Sequence, residues 1–387
     1  MQHFVVVGGG IAGVNCSMEI LRSTPDKNIQ VTLISANQHV KTITNWYKIG
    51  QFMENFEISE SQQPLTSDKR FQLIYDTVIS WKPDEKFLIL KENGEFSYDK
   101  LCISTGARSI CQFSNLKNVK TLRDTDTAKD LQLHLSKSRH IVIVGNGGIA
   151  AELIYELKNI KITWIIKDSW LCAKFFPKDL EKFIENRIFA GNEKRKKTSG
   201  VQKRLRFGLG SDQSLEGQGP ALGPDWATSI DLSGENQEKS INILKSTEVL
   251  NISDDFVEVR DLESETISKI PCDFVIWATG TRANSEIWKE NLDVSAGEED
   301  QAIQVNDIFE TSHPAVFACG DVAQYATTSS NLWKPMRLWT QARQAAETCA
   351  KSMVFGRETA EMFNMHLELF AHCTTFFGLK LQQVLDI

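Results

Sequence analysis

Two short glycine runs carry the clearest chemical signal in this 387-residue chain. Gly8, Gly10 and Gly13, with Ile11 and Ala12 between the last two, follow the pattern G-x-G-x-x-G. Gly145-Asn146-Gly147-Gly148-Ile149-Ala150 repeats it with alanine in the third place, which the pattern admits. In such a turn the first glycine permits the tight bend and the second lets a pyrophosphate approach the backbone. The third lets helix and strand pack closely. The helix that follows offers free N–H groups and the positive end of its dipole to the phosphates. Two such turns in one chain point to two dinucleotides, and two dinucleotides point to electrons moving between them.

The flanking residues supply the elements that such turns need. His3–Val7 and Ile141–Val144 read as buried parallel strands, and Val14–Arg22 has helical apolar spacing. Gln30–Ser35 and Lys161–Asp168 read as the second strand of each unit, where an acid is expected to hold a ribose hydroxyl. The first unit has Ser35 in that place. In the second, Asp168 suits a ribose 2′-hydroxyl and Lys167 a 2′-phosphate, so NADH and NADPH both remain open. Asp99 to Gly106 is a strand ending in Thr105-Gly106, and Cys272 to Gly280 echoes it with Thr279-Gly280. Ala315–Asp321 is a buried strand ending in Gly320-Asp321, whose carboxylate suits a sugar or ribityl hydroxyl. Further strands are expected at Phe71–Tyr75, Phe87–Lys91, Ile241–Leu244, Glu248–Ile252 and Phe256–Val259, and a helix at Arg337–Met353. Residues 36–70 are polar and mixed, with no clear period.

Composition bounds the rest. The chain is 41% hydrophobic and 24% charged, with a net charge of -7, so bulk electrostatics give no reason to expect nucleic-acid or membrane binding. The first strand begins at residue 3, which leaves no room for a signal peptide and predicts a cytosolic or nuclear protein. The eight cysteines form no C-x-x-C and no close cluster with histidine. That spacing argues against a structural zinc or a disulfide framework, and no metal is expected. Residues 190–240 carry the basic runs Lys194–Lys197 and Lys203–Arg206 and a Gly/Ser/Gln-rich stretch. They read as a mobile insertion, with an import signal as the alternative and Trp226 as a docking point.

Together the motifs resemble the FAD-dependent pyridine nucleotide-disulfide oxidoreductase superfamily, over nearly the whole chain. The resemblance implies an α/β fold of two Rossmann-like domains, the NAD(P) domain inserted into the FAD domain. Residues 1–125 and 276–360 would bind FAD, 126–275 NAD(P), and 361–387 would be the remnant of a C-terminal interface domain, as in a truncated isoform. FAD would then meet Gly8, Gly10, Ile11, Ala12, Gly13, Ser35, Lys41, Thr105, Gly106, Gly320 and Asp321, and Val78 and Gly280 would also belong to the cofactor sites. NAD(P)H would meet Gly145, Gly147, Gly148, Ile149, Lys167 and Asp168. Glu152 would orient the nicotinamide, and Lys41 or Lys48 would stand by the isoalloxazine, unless solvated or facing phosphate. Hydride would pass from nicotinamide to flavin, and on to oxygen, a quinone or a protein thiol.

A closer resemblance, through Phe4–Val14, Gly145–Ala150, Ala221–Trp226 and Met336–Gln344, is to the pyridine nucleotide-disulfide oxidoreductase domain-containing protein 1 family. It implies a nuclear and cytoplasmic protein linked to oxidative-stress defence, with the tRNA-splicing ligase complex as a partner. The alternative to an enzyme, which the missing cysteines and the basic, Trp-bearing insertion favour, is a nucleotide-sensing flavoprotein whose reduced state shields such a partner. The redox-active cysteines of classical superfamily members are missing, because no cysteine lies between Cys16 and Cys102. Cys16 and Cys319 read either as packing residues or as thiols on the flavin side.

Overall fold

The computed structural model describes residues 1–25, 27–49, 53–61, 65–123, 125–173, 175–189, 231–235, 238–296, 300–326, 337–357, 369–376 and 379–386. From the first residues, β1 (Gln2–Val7) leads through the first glycine turn into α1 (Ile11–Ser23), and β2 (Ile29–Ser35) returns parallel to β1. β3 (Val40–Ile49) and β4 (Met53–Ser61) form an antiparallel hairpin. β5 (Phe71–Tyr75) pairs with β2. β6 (Val78–Lys82), β7 (Phe87–Leu90) and β8 (Gly94–Ser97) make an antiparallel meander, and β9 (Lys100–Ile103) enters beside β1.

The chain then leaves along β10 (Ala107–Ser109) to β11 (Val119–Lys120) and α2 (Thr125–Leu135). The second unit follows: β12 (His140–Val144), α3 (Gly148–Glu156), β13 (Lys161–Ile165), α4 (Glu181–Phe189) and β14 (Ser240–Leu244). A second antiparallel meander, β15 (Thr247–Ile252), β16 (Phe256–Asp261) and β17 (Ile267–Pro271), precedes β18 (Phe274–Trp277). β19 (Thr281–Ala283) pairs antiparallel with β10 and carries the chain back. The remaining elements are β20 (Ile303–Val305), β21 (Val316–Ala318), β22 (Ala323–Tyr325), α5 (Trp339–Phe355) and the hairpin β23 (Leu369–Phe376) and β24 (Leu379–Asp386).

Two five-stranded parallel sheets result, ordered β21-β9-β1-β2-β5 and β11-β18-β12-β13-β14. In each, the strand that feeds the glycine turn is central. Phe4–Val7 and Ile141–Val144 are buried without alternation, as strands covered on both faces must be. The small residues Ala342, Ala345, Ala346 and Ala350 are buried on α5, which lies along α1. The repetition reaches single atoms. The His3 amide donates to Asp99 at 2.6 Å and the His140 amide to Asp273 at 2.8 Å. The imidazoles share hydrogen bonds with Thr32 and Thr163, each at 2.9 Å, and burial pushes both below the usual histidine range.

The structure moves three expected boundaries. β11 and the whole of β18 belong to the second sheet, so the chain crosses between domains at the β10–β19 pair rather than at residues 125 and 275. The expected insertion does not run to residue 240. Leu232 is buried in the second core and its carbonyl accepts from the Lys158 amide at 3.0 Å, while β14 pairs with β13. Its basic runs and Trp226 lie outside the described residues. The aperiodic stretch 36–70 holds the β3–β4 hairpin. No described helix is long and apolar enough to cross a membrane.

Candidate functional site

The two glycine turns have the same backbone. Gly8 and Gly145 sit at φ +127° and +129°, and a side chain on either would run into a carbonyl, of Ser104 and of Ala278 respectively. Gly13 packs so closely on the Gly8 carbonyl that a Cβ there would overlap it. Gly10 and Gly147 cap α1 and α3 in extended backbone, φ -77° and -91°, without a side-chain cap. A Cβ on either would meet no atom within 4 Å. Each turn is thus closed toward the protein and open where a pyrophosphate would lie, with uncapped helix N–H groups facing it.

Around the first turn the structure gathers much of the expected set. Ile11 and Ala12 form the buried start of α1. Gly320, at φ +76°, packs against Ala12 so tightly that a Cβ would collide with it, which brings Asp321 to the first turn of α1. The Lys41 amide donates to the Gly9 carbonyl at 2.9 Å. Its ammonium pairs with Glu60 at 3.7 Å and stands 5.9 Å from the Trp339 ring centre, so its charge is shared with protein groups rather than held for a flavin alone. Thr105 and Gly106 are clasped by Asn284. Thr105 donates to its carbonyl at 2.8 Å, its side-chain amide returns a bond to the Thr105 carbonyl at 2.8 Å, and its backbone amide meets the Gly106 carbonyl at 2.9 Å. Gly280, at φ +131°, accepts from the Ile110 amide at 3.0 Å and so tethers β10 to β19.

Two of the expected residues are engaged within the protein. Ser35 ends β2 as foreseen, but it is only 1% exposed and its hydroxyl donates to the Asn37 carbonyl at 2.7 Å, closing the loop rather than facing a ribose. Val78 is buried in the core of the first domain with Leu88 and Leu90.

At the second turn, Asn146 joins the glycine run to the end of β13. Its amide donates to Asp168 at 2.7 Å and to the Trp170 carbonyl at 2.9 Å, and its oxygen accepts from the Cys172 amide at 2.6 Å. Asp168 is therefore exposed and fixed beside the turn. Lys167 is drawn instead to Glu248 at 3.4 Å. Gly148, Ile149 and Glu152 lie on the first turns of α3, and Glu152 is half-buried.

Arg123 carried no signal in the sequence, because its partners come from distant segments. Its guanidinium pairs with Asp321 and donates to the Ala107 carbonyl at 3.0 Å. Cys16 and Cys319 are both fully buried in the core of the first domain.

Residues 2–193 and 228–346 match the family model described as pyridine nucleotide-disulphide oxidoreductase. The chain is 32% identical over 414 residues to the Homo sapiens pyridine nucleotide-disulfide oxidoreductase domain-containing protein 1, covering 97% of this chain and 81% of that one. Among solved structures it is similar to a ferredoxin reductase for the CYP199A2 system from Rhodopseudomonas palustris. That match has a TM-score of 0.67 at 17% identity and covers 99% of this chain and 82% of the other. It is also similar to a water-forming NADH oxidase from Lactobacillus brevis, with a TM-score of 0.64 at 19% identity, covering 92% and 70% of the two chains.

Proposed function

The chain belongs to the pyridine nucleotide-disulphide oxidoreductase family, and we propose that within it the protein is an FAD-dependent NADH oxidoreductase that serves an external acceptor without a cysteine relay. FAD and NAD(P)H are the cofactors of this family, and the residues present fit them: two uncapped helix N-termini, each behind an open extended glycine. That pair of turns is the observation that carries the reading. When bound, NAD(P)H supplies a hydride and FAD a two-electron acceptor.

The protein's own part is to hold and orient. Gly10 and Gly147 admit the two pyrophosphates, and the first turns of α1 and α3 bind them. Asp321, steadied by Arg123, accepts from a sugar or ribityl hydroxyl of FAD. Asp168 accepts from the ribose 2′-hydroxyl of the nucleotide and repels a 2′-phosphate, which favours NADH. Glu152 orients the nicotinamide, and Lys41 lies on the first-domain side. No cysteine lies between Cys16 and Cys102 to receive electrons as a disulfide there.

Steady-state turnover with a small quinone tests the reading: kcat/KM is expected to be higher for NADH than for NADPH, and no turnover with either nucleotide would overturn it. A second reading is favoured by the missing relay together with the basic runs Lys194–Lys197 and Lys203–Arg206. In it the protein is a nuclear and cytoplasmic redox sensor, active in oxidative stress, that binds the tRNA-splicing ligase complex. A reduced flavin that persists after air is admitted would favour the sensor, and rapid reoxidation the enzyme.

A further inference from the structure

Four of the cysteines meet in the core of the first domain. Cys16 comes from α1, Cys102 from β9, Cys319 from the end of β21 and Cys349 from α5. All four are fully buried and their sulfurs lie within 4.8 Å of one another. The Cys102 sulfur is 3.6 Å from that of Cys319 and 3.8 Å from that of Cys349. We propose that these four side chains form a tetrathiolate site for a single zinc ion.

The spacing supports one ion. A zinc–sulfur bond of about 2.3 Å places the sulfurs of a regular tetrahedron about 3.8 Å apart. The Cys102–Cys319 and Cys102–Cys349 separations lie close to that value, and the 4.8 Å limit on the others leaves small side-chain rotations to close the rest. A polynuclear iron–sulfur cluster spreads its ligand sulfurs wider than a single ion does. Four soft sulfur ligands with no oxygen donor among them select zinc over magnesium or calcium. Loading replaces four S–H bonds with four Zn–S bonds and releases four protons to solvent, with no change of oxidation state.

The topology gives the ion a role. Cys16 and Cys102 precede the second domain in the chain, whereas Cys319 and Cys349 follow it. An ion here fastens the two separated halves of the first domain across α1, β9, β21 and α5, and its binding free energy becomes folding free energy. The expectation of no metal rested on close spacing in the sequence. These ligands come one at a time from four elements, a pattern that spacing rules do not register.

Elemental analysis of the full chain, purified under reducing conditions from zinc-containing medium, is expected to give about one zinc per chain. An organomercurial should release it to a chromophoric chelator. Cys349→Ser and Cys102→Ser should lose the ion, whereas Cys272→Ser, outside the cluster, should keep it. Cobalt in place of zinc should give sulfur-to-cobalt charge-transfer bands that are absent from Cys349→Ser. Should the cluster variants fail to fold, the wild-type protein still decides. A folded wild-type chain with neither zinc nor a cobalt band after addition of the metal overturns the proposal. So does a Cys102–Cys319 disulfide found by mass spectrometry in the reduced preparation, or zinc retained in full by a folded Cys349→Ser.

Discussion

Replacing Gly147 with serine separates the ligand's needs from those of the fold. The backbone at Gly147, φ -91° and ψ -178°, is extended and open to any residue, and a Cβ there meets nothing within 4 Å. Serine is moreover a preferred helix N-cap, better than glycine by about a few tenths of a kcal/mol. Gly147→Ser should therefore leave the melting temperature unchanged or slightly raised. For the nucleotide the effect is opposite. The new side chain fills the pyrophosphate's approach, and its hydroxyl takes up an N–H of the first turn of α3. One lost hydrogen bond to a charged group costs about 1.5–3 kcal/mol, or about tenfold to 150-fold in half-saturation. Anaerobic stopped-flow reduction of the bound flavin, followed against NADH concentration, reads this directly, with FAD content as the internal control. Gly145→Ala is the matched contrast. At φ +129°, with its Cβ against the Ala278 carbonyl, it should lower stability by about 1–3 kcal/mol. Half-saturation unchanged in Gly147→Ser, with FAD retained, would refute the placement of the second site.

Three further outcomes follow. Asp168→Ala should raise the KM for NADH about tenfold, by loss of a charged hydrogen bond, while the KM for NADPH stays or falls; equal effects on both would remove Asp168 from the ribose. Gly320→Ala, strained at φ +76° and pressed on Ala12, should lower FAD content and melting temperature together, both read from one thermal scan of flavin fluorescence. His3 and His140 are held below the ordinary histidine pKa by burial, so below that value the unfolded chain binds more protons than the folded one. Their contribution is full at neutral pH and is lost as pH falls below the free-histidine value. Urea titrations from pH 7.5 to 5 should show a shallower fall for His3→Gln/His140→Gln than for the wild type.

The parts of this fold legible in the sequence are those set by neighbouring residues. The continuous apolar strands Phe4–Val7 and Ile141–Val144, the glycine turns and the helices behind them all follow from local periodicity and from backbone conformations open mainly to glycine. The β3–β4 hairpin was hidden because its residues alternate poorly and its register shifts between Thr44 and Tyr47. The domain crossing is not legible because β11 is two residues long, too short for any pattern. Ser35 stands where the ribose acid is expected, but its hydroxyl is spent on Asn37, which no spacing rule can express. Arg123 and Asp321, like the four core cysteines, meet only because the sheet order brings distant segments together. Asp168 is an intermediate case. Its place after β13 was visible, whereas its fixing by Asn146, and the diversion of Lys167 to Glu248, emerged from the folded loop.

On the proposed function, electrons pass from one dinucleotide site to the other and leave without a cysteine relay. Anaerobic titration of the FAD-loaded protein with NADH, counted by flavin absorbance, tests it most directly. Complete bleaching is expected at one NADH per flavin, with no further uptake of reducing equivalents. Uptake of a second equivalent would reveal a reducible disulfide and contradict the claim, and a flavin that NADH leaves oxidised would contradict the pairing of the two sites.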